Sequence, residues 1–131
     1  MGASEAEHRA WRILVVEDEV DGRAVMIDTL ELHGIACDAA ATAEEGIALL
    51  EAHHYDAAII DLSLPGMDGM AFLKHIRGQA RLAQLPCIAF TAYHSSKVRQ
   101  DVLNAGFNAY FEKPLRQAVL VQALEEIIPT G

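Results

Sequence analysis

Short apolar runs rich in β-branched residues or alanine recur along the chain, at residues 12–16, 35–40, 56–60, 86–90 and 109–111. The first and third contain ILVV and AAII, which are continuously apolar. Such runs are typical of strands that are buried on both faces of a parallel sheet. The pattern therefore predicts five short strands, at least two of them central.

The segments between these runs have helical character. In residues 20–32, the apolar residues Ala24, Ile27 and Leu30 keep the spacing of a helix. Start signals open the next three helices, and a fifth helix is predicted to follow them. The start signals are the capping box of Thr42 with Glu45, then Asp68-Gly69 and Ser95-Ser96, and the fifth helix is predicted over residues 115–128.

The alternation of strand and helix predicts an α/β protein with a doubly wound, five-stranded parallel sheet covered by helices on both faces. A chain of 131 residues has the length of one domain. We expect residues 11–128 to form it, with residues 1–10 a disordered arm and 129–131 a short tail.

Composition narrows the class of protein. Hydrophobic residues make up 52% of the chain, which excludes disorder, and the net charge of −9 argues against direct nucleic-acid binding. The first ten residues are polar and acidic, without the basic and apolar regions of a secretory signal, and no apolar stretch reaches the roughly 18 residues that cross a membrane. Cys37 and Cys87 have no metal-site spacing, and we expect both to be buried, unpaired thiols of a cytoplasmic protein.

Fourteen of the nineteen acidic residues lie in the first 65 positions, and some of them follow predicted strands. Parallel strands end at one edge of the sheet, where ligands bind, so Glu17, Asp18, Asp61, Thr91 and Lys113 should meet there. Carboxylates without histidine or thiolate favour Mg²⁺, with Asp18 and Asp61 as direct ligands and Glu17 acting through a water. Thr91 and Lys113 could bind a phosphoryl group that Asp61 attacks as a nucleophile.

Four motifs carry a family resemblance: VVEDE at residues 15–19, IDLSLPGMDG at 60–69, FTA at 90–92 and YFEKP at 110–114. Together and in this order they resemble the receiver domain of two-component response regulators, over roughly residues 11–128. The resemblance implies a flavodoxin-like receiver fold with strand order 2-1-3-4-5.

By this resemblance Asp61 is the phosphoacceptor, supplied by a sensor histidine kinase or a histidine phosphotransfer protein. Glu17 and Asp18 match the acidic pair of the Mg²⁺ site, and the Ser63 backbone carbonyl matches its third protein ligand. Thr91 and Lys113 match the family's hydroxyl and lysine that act on the phosphoryl group.

The resemblance also implies a switch, in which Thr91 moves toward the phosphoryl group and Tyr110 fills the vacated space. The Lys113–Pro114 bond is typically cis in such domains, and Ser63 and Tyr93 stand at positions that influence the phosphoryl lifetime. The fourth helix, fifth strand and fifth helix would then bind a downstream protein, or a second copy of the chain as a phosphorylation-dependent homodimer. Such a domain is not an enzyme, beyond catalysing its own phosphorylation and dephosphorylation.

Two other functions remain open. A pseudo-receiver scaffold would bind partners without phosphorylation, although every residue of the phosphorylation site is present. A phosphatase of the haloacid dehalogenase type also uses Asp, Thr, Lys and Mg²⁺, but that family has D-x-D after its first strand, whereas Leu62 and Ser63 follow Asp61.

Overall fold

The computed structural model describes residues 10–129. Five strands and five α-helices alternate, with one 3₁₀ helix, Ala80–Leu82, before the fourth strand. The strands are β1 Arg12–Val16, β2 Ala36–Ala40, β3 Ala57–Asp61, β4 Cys87–Thr91 and β5 Ala109–Glu112. The helices are α1 Val20–Leu32, α2 Ala43–Ala52, α3 Gly69–Arg77, α4 Ser96–Ala105 and α5 Gln117–Ile127.

All four strand pairings are parallel and the order is β2-β1-β3-β4-β5, which confirms the predicted fold class and topology. The last residues of the strands lie close to register, with Val16 opposite Ile60 and Thr91 opposite Glu112. The carboxyl ends therefore form a single edge, which positions the candidate site.

Two apolar cores lie on opposite faces of the sheet, because side chains alternate along each strand. Leu14 and Val16 of β1 face the core that α2, α3 and α4 cover. Ile13 and Val15 face the other core, which α1 and α5 cover. The central strands β3 and β4 are buried along their whole length, as continuous apolar runs predict.

The buried face of α1 could not be predicted from the spacing of its apolar residues, and the expectation that both cysteines are buried was wrong. Helix α1 buries Met26, Thr29 and Leu30, whereas Ala24 is exposed, because apolar spacing alone does not say which stripe of the helix faces the sheet. Of the cysteines, Cys87 is buried as expected but Cys37 is only half-buried, since β2 is an edge strand. Both are free thiols, and burial raises the pKa of each to about 11, as expected for unreactive cysteines.

Most of the two chain termini lies outside the described residues. The predicted arm at residues 1–10 and tail at 129–131 fall, apart from Ala10 and Pro129, outside the described residues. Among the helices that the structure describes, none is long and apolar enough to cross a membrane.

Candidate functional site

Three carboxylates meet at the carboxyl edge of the sheet. Glu17 and Asp18 directly follow β1, and Asp61 is the last residue of β3. One carboxylate oxygen from each lies within 4.8 Å of the others. Glu17 and Asp61 are only 1% and 2% exposed, whereas Asp18 is more accessible. The sequence prediction that these side chains converge is therefore correct.

Lys113, just beyond β5, forms ion pairs with both buried carboxylates. Its Nζ donates to Glu17 Oε1 at 2.8 Å and to Asp61 Oδ2 at 2.9 Å. The ammonium also lies 5.1 Å from the centre of the Phe90 ring, a cation–π contact. One cation thus pairs with two anions at the floor of the site and leaves a net negative charge there, and Lys113 is brought to them as predicted.

The electrostatics of this group follow from burial. Desolvation raises the pKa of Glu17, and nearby Asp61 adds to this, although the hydrogen bonds from Lys113 and the Glu19 amide oppose it. Burial works against the charged form of Lys113, but its bonds to Glu17 and Asp61 outweigh this and raise its pKa. The ammonium therefore stays protonated at neutral pH.

Asp61 is held in one orientation. While Oδ2 accepts from Lys113, Oδ1 accepts the backbone N–H of Ser63 at 2.9 Å. Helix α3 begins close behind it, and a Cβ at Gly69 would lie 2.8 Å from the Asp61 carbonyl oxygen. Only glycine permits this approach without a backbone shift, and the sequence places one there.

Thr91 ends β4 beside the carboxylates and is 2% exposed. Its Oγ1 accepts the backbone N–H of Tyr93 at 3.0 Å, and its carbonyl accepts the backbone N–H of Lys113 at 2.8 Å. The Tyr93 side chain itself is largely exposed, with the residue at 75% exposure. Tyr110 lies on β5 and is half-buried, and the Lys113–Pro114 bond is cis.

Sequence reasoning missed two residues that shape the acidic pair. A Cβ at Gly22 would lie 2.8 Å from Glu17 Oε1, so the absence of a side chain makes room for that carboxylate. Arg23 Nη1 donates to the backbone carbonyls of Glu17 and Asp18 at 3.0 and 3.3 Å. A glycine inside a predicted helix was the only available signal, because it costs helix stability and usually has a packing reason.

The donor set suits a hard divalent cation. Glu17, Asp18 and Asp61 offer only oxygen atoms, and Mg²⁺ commonly binds one or two carboxylates together with waters and a phosphate. No histidine or thiolate belongs to this cluster, which argues against zinc. The residues present therefore fit Mg²⁺.

Comparison with known proteins agrees with this geometry. The family model of the response regulator receiver domain matches residues 13–125. Among curated proteins, an uncharacterized 14.6 kDa protein in the sodA1 3′ region of Leptolyngbya boryana is 34% identical over 87% of each chain. The two-component response regulator PhoP of Pseudomonas aeruginosa is 32% identical over 89% of this chain, which spans about half (51%) of PhoP.

The chain is also similar to solved structures of receiver domains. The receiver domain of the sensor histidine kinase PA1611 from Pseudomonas aeruginosa, determined with a magnesium ion coordinated in its active-site cleft, superposes with a TM-score of 0.84. The two are 32% identical over 92% of this chain and 98% of that one. With the strand order, the convergent carboxylates and a family match across most of its length, this chain belongs to the response regulator receiver domains of two-component systems.

Proposed function

We propose that Asp61 is the phosphoacceptor of this receiver domain. The observation that carries the proposal is the state of its carboxylate, which is buried at the carboxyl edge, fixed by Ser63 and Lys113, and adjacent to two further carboxylates. A carboxylate fixed in this way can attack phosphorus without first paying the entropic cost of orientation. The residues after Asp61 do not supply the second aspartate of a D-x-D phosphatase.

The donor is a phosphohistidine of a sensor histidine kinase or a histidine phosphotransfer protein. An oxygen of Asp61 forms the new P–O bond while the P–N bond to the donor imidazole breaks. The electron pair of that bond stays on the imidazole nitrogen, which takes up a proton. Water later hydrolyses the acyl phosphate, so the domain acts on its own modification and is not an enzyme toward other substrates.

Glu17, Asp18, Asp61 and the Ser63 carbonyl would hold Mg²⁺, which when bound neutralises negative charge on the phosphoryl oxygens. Lys113, whose ammonium donates to Asp61 Oδ2 at 2.9 Å, would contribute a further positive charge. Thr91, whose hydroxyl lies beside the site, donates to a phosphoryl oxygen. These roles use every buried polar side chain that the structure places at this edge, Glu17, Asp61 and Thr91.

The output is a change in a protein-binding surface. Movement of Thr91 toward the phosphoryl group opens space that Tyr110 enters, which repacks the face formed by α4, β5 and α5. That face would bind a downstream protein, or a second copy of the chain as a phosphorylation-dependent homodimer. It includes Lys97, Arg99 and Arg116, in the less acidic half of the chain.

The test is a phosphorylation assay with acetyl phosphate and Mg²⁺, read by intact mass. We expect the wild type to gain one phosphoryl group and Asp61→Asn to gain none. Asp101→Asn, which changes an exposed aspartate on α4, is the matched control and should behave like the wild type. If the wild type gains no mass, or Asp61→Asn gains it equally, the proposal fails, and the first result would favour the scaffold function.

The lifetime of the phosphoryl group gives a second test. Tyr93 lies two residues after Thr91, and we expect its large, exposed side chain to limit the approach of water to a phosphoryl group on Asp61. We expect Tyr93→Ala to lose its phosphoryl group faster than the wild type in a dephosphorylation time course. An unchanged rate would remove Tyr93 from this role and leave the phosphoacceptor assignment intact.

A further inference from the structure

An exposed histidine contacts the aromatic residue of the proposed switch. His94 lies in the loop between β4 and α4, and its Nδ1 is 3.0 Å from the Tyr110 hydroxyl. The two rings also pack together, with centroids 5.7 Å apart and planes inclined at 42°. Tyr110 thus has a specific partner outside the core against which the rest of its side chain packs.

The same loop is anchored at both of its ends. At the start, Thr91 Oγ1 accepts the Tyr93 N–H at 3.0 Å. At the end, the Ser95 side chain accepts the Val98 N–H at 3.0 Å and caps α4. His94 lies between these two contacts, so a displacement of Thr91 must be absorbed within the two or three residues that also carry the imidazole.

We propose that His94 is a positioning residue of the switch, which holds Tyr110 in the orientation that it has while Asp61 is unmodified. This inference rests on the proposed function, because it assumes that Thr91 and Tyr110 report the state of Asp61. When Thr91 moves toward the phosphoryl group, the loop moves with it and the contact between His94 and Tyr110 breaks. The contact therefore stabilises the unmodified state and opposes activation.

The expected effect follows from linkage. A contact made only in the unmodified state shifts the equilibrium between the unmodified and activated conformations toward the first. It therefore reduces the apparent affinity of any ligand of the activated conformation by the same factor. A net hydrogen-bond contribution of ordinary size corresponds to a change of about threefold to tenfold. The imidazole can make this contact in two ways: Nδ1 accepts the hydrogen bond that the Tyr110 hydroxyl donates, or, where Nδ1 carries a hydrogen, it donates to the Tyr110 oxygen.

The experiment measures binding of beryllofluoride, a mimic of the phosphoryl group, in the presence of Mg²⁺. We expect His94→Ala to bind it about threefold to tenfold more tightly than the wild type. Tyr110→Phe, which removes the hydroxyl, should show a similar gain, and the double variant should gain no more than either single one. His54→Ala, which changes an exposed histidine in the loop before β3, at the amino ends of the strands, is the control and should match the wild type.

A spectroscopic measurement separates a positioning role from a general effect on stability. With ring-labelled tyrosine, the NMR signals of Tyr110 in unliganded His94→Ala should move part of the way toward their position in the beryllofluoride complex of the wild type. Unchanged signals would overturn the inference, as would unchanged or weaker binding in His94→Ala, or additive gains in the double variant. A wild type that does not bind beryllofluoride would instead overturn the proposed function on which the inference depends.

Discussion

Lys113 is the side chain whose removal should most clearly expose the electrostatics of the site. It donates to Glu17 and Asp61 at 2.8 and 2.9 Å, and no other ion pair to those two carboxylates is found among the described residues. Lys113→Ala would leave both carboxylates, which are 1% and 2% exposed in the wild type, without the one cation that pairs with them. Removal of one partner from a buried ion pair costs about 3–5 kcal/mol.

Because the Lys113 side chain is 23% exposed, we take the lower end, about 3 kcal/mol. Small domains have only about 5–15 kcal/mol of total stability, so the loss is large enough to measure by urea unfolding in EDTA. Mg²⁺ should stabilise the variant at least as much as the wild type, for which a ligand at a hundred times its Kd adds about 2.7 kcal/mol, because the ion meets two carboxylates that no ammonium pairs with. Lys113→Ala should therefore bind Mg²⁺ at least as tightly as the wild type, because the substitution removes no metal ligand. It should signal poorly, because it removes a side chain that contacts the phosphoryl group.

The matched control is Lys97→Ala, whose ammonium pairs with Asp101 on an exposed face of α4. Exposed pairs contribute little, so its stability should change by less than about 1 kcal/mol with or without Mg²⁺. The reasoning would be refuted if Lys113→Ala lost less than about 1 kcal/mol in EDTA. Weaker binding of Mg²⁺ by this variant, measured by calorimetry, would likewise contradict the assigned role.

Two further predictions concern parts of the fold away from the site. Burial alone would raise the pKa of Asp38, but hydrogen bonds from Tyr55 and Arg12 outweigh it and hold that pKa below its usual value. A lowered pKa gives stability that is present above the unfolded-state pKa of about 4 and is lost as the pH falls through the folded-state pKa. Asp38→Asn should therefore lose less of its free energy of unfolding than the wild type between pH 5 and about 2, as measured with urea. Equal losses in the two proteins would contradict this. Arg77 donates to backbone carbonyls of two separate loops, so Arg77→Ala should lose about 2–3 kcal/mol of unfolding free energy. Lys74→Ala, which changes an exposed residue of the same helix, should lose almost none. Similar losses in both variants would refute the role of the guanidinium.

The parts of the site that could be predicted from the sequence are those attached to strand ends. Asp61 and Lys113 are 52 residues apart in the chain, yet both follow apolar runs, and a parallel sheet brings such positions to one edge. Contacts made by side chains from loops and helix faces could not be found this way. His94 reaches Tyr110 through the geometry of a short loop, and Gly22 matters only because of where α1 packs against Glu17.

The sequence by itself determined the α/β class, the number of strands and the chemistry collected at their carboxyl ends, because hydrophobic periodicity and chain direction are local properties. Tertiary structure decided which stripe of α1 is buried, and therefore that Ala24 faces solvent while Met26 does not. It also decided that one ammonium serves two buried carboxylates, and that a loop histidine contacts the proposed switch residue. These features depend on distances between segments far apart in the chain, which are set only when both cores have packed against the sheet.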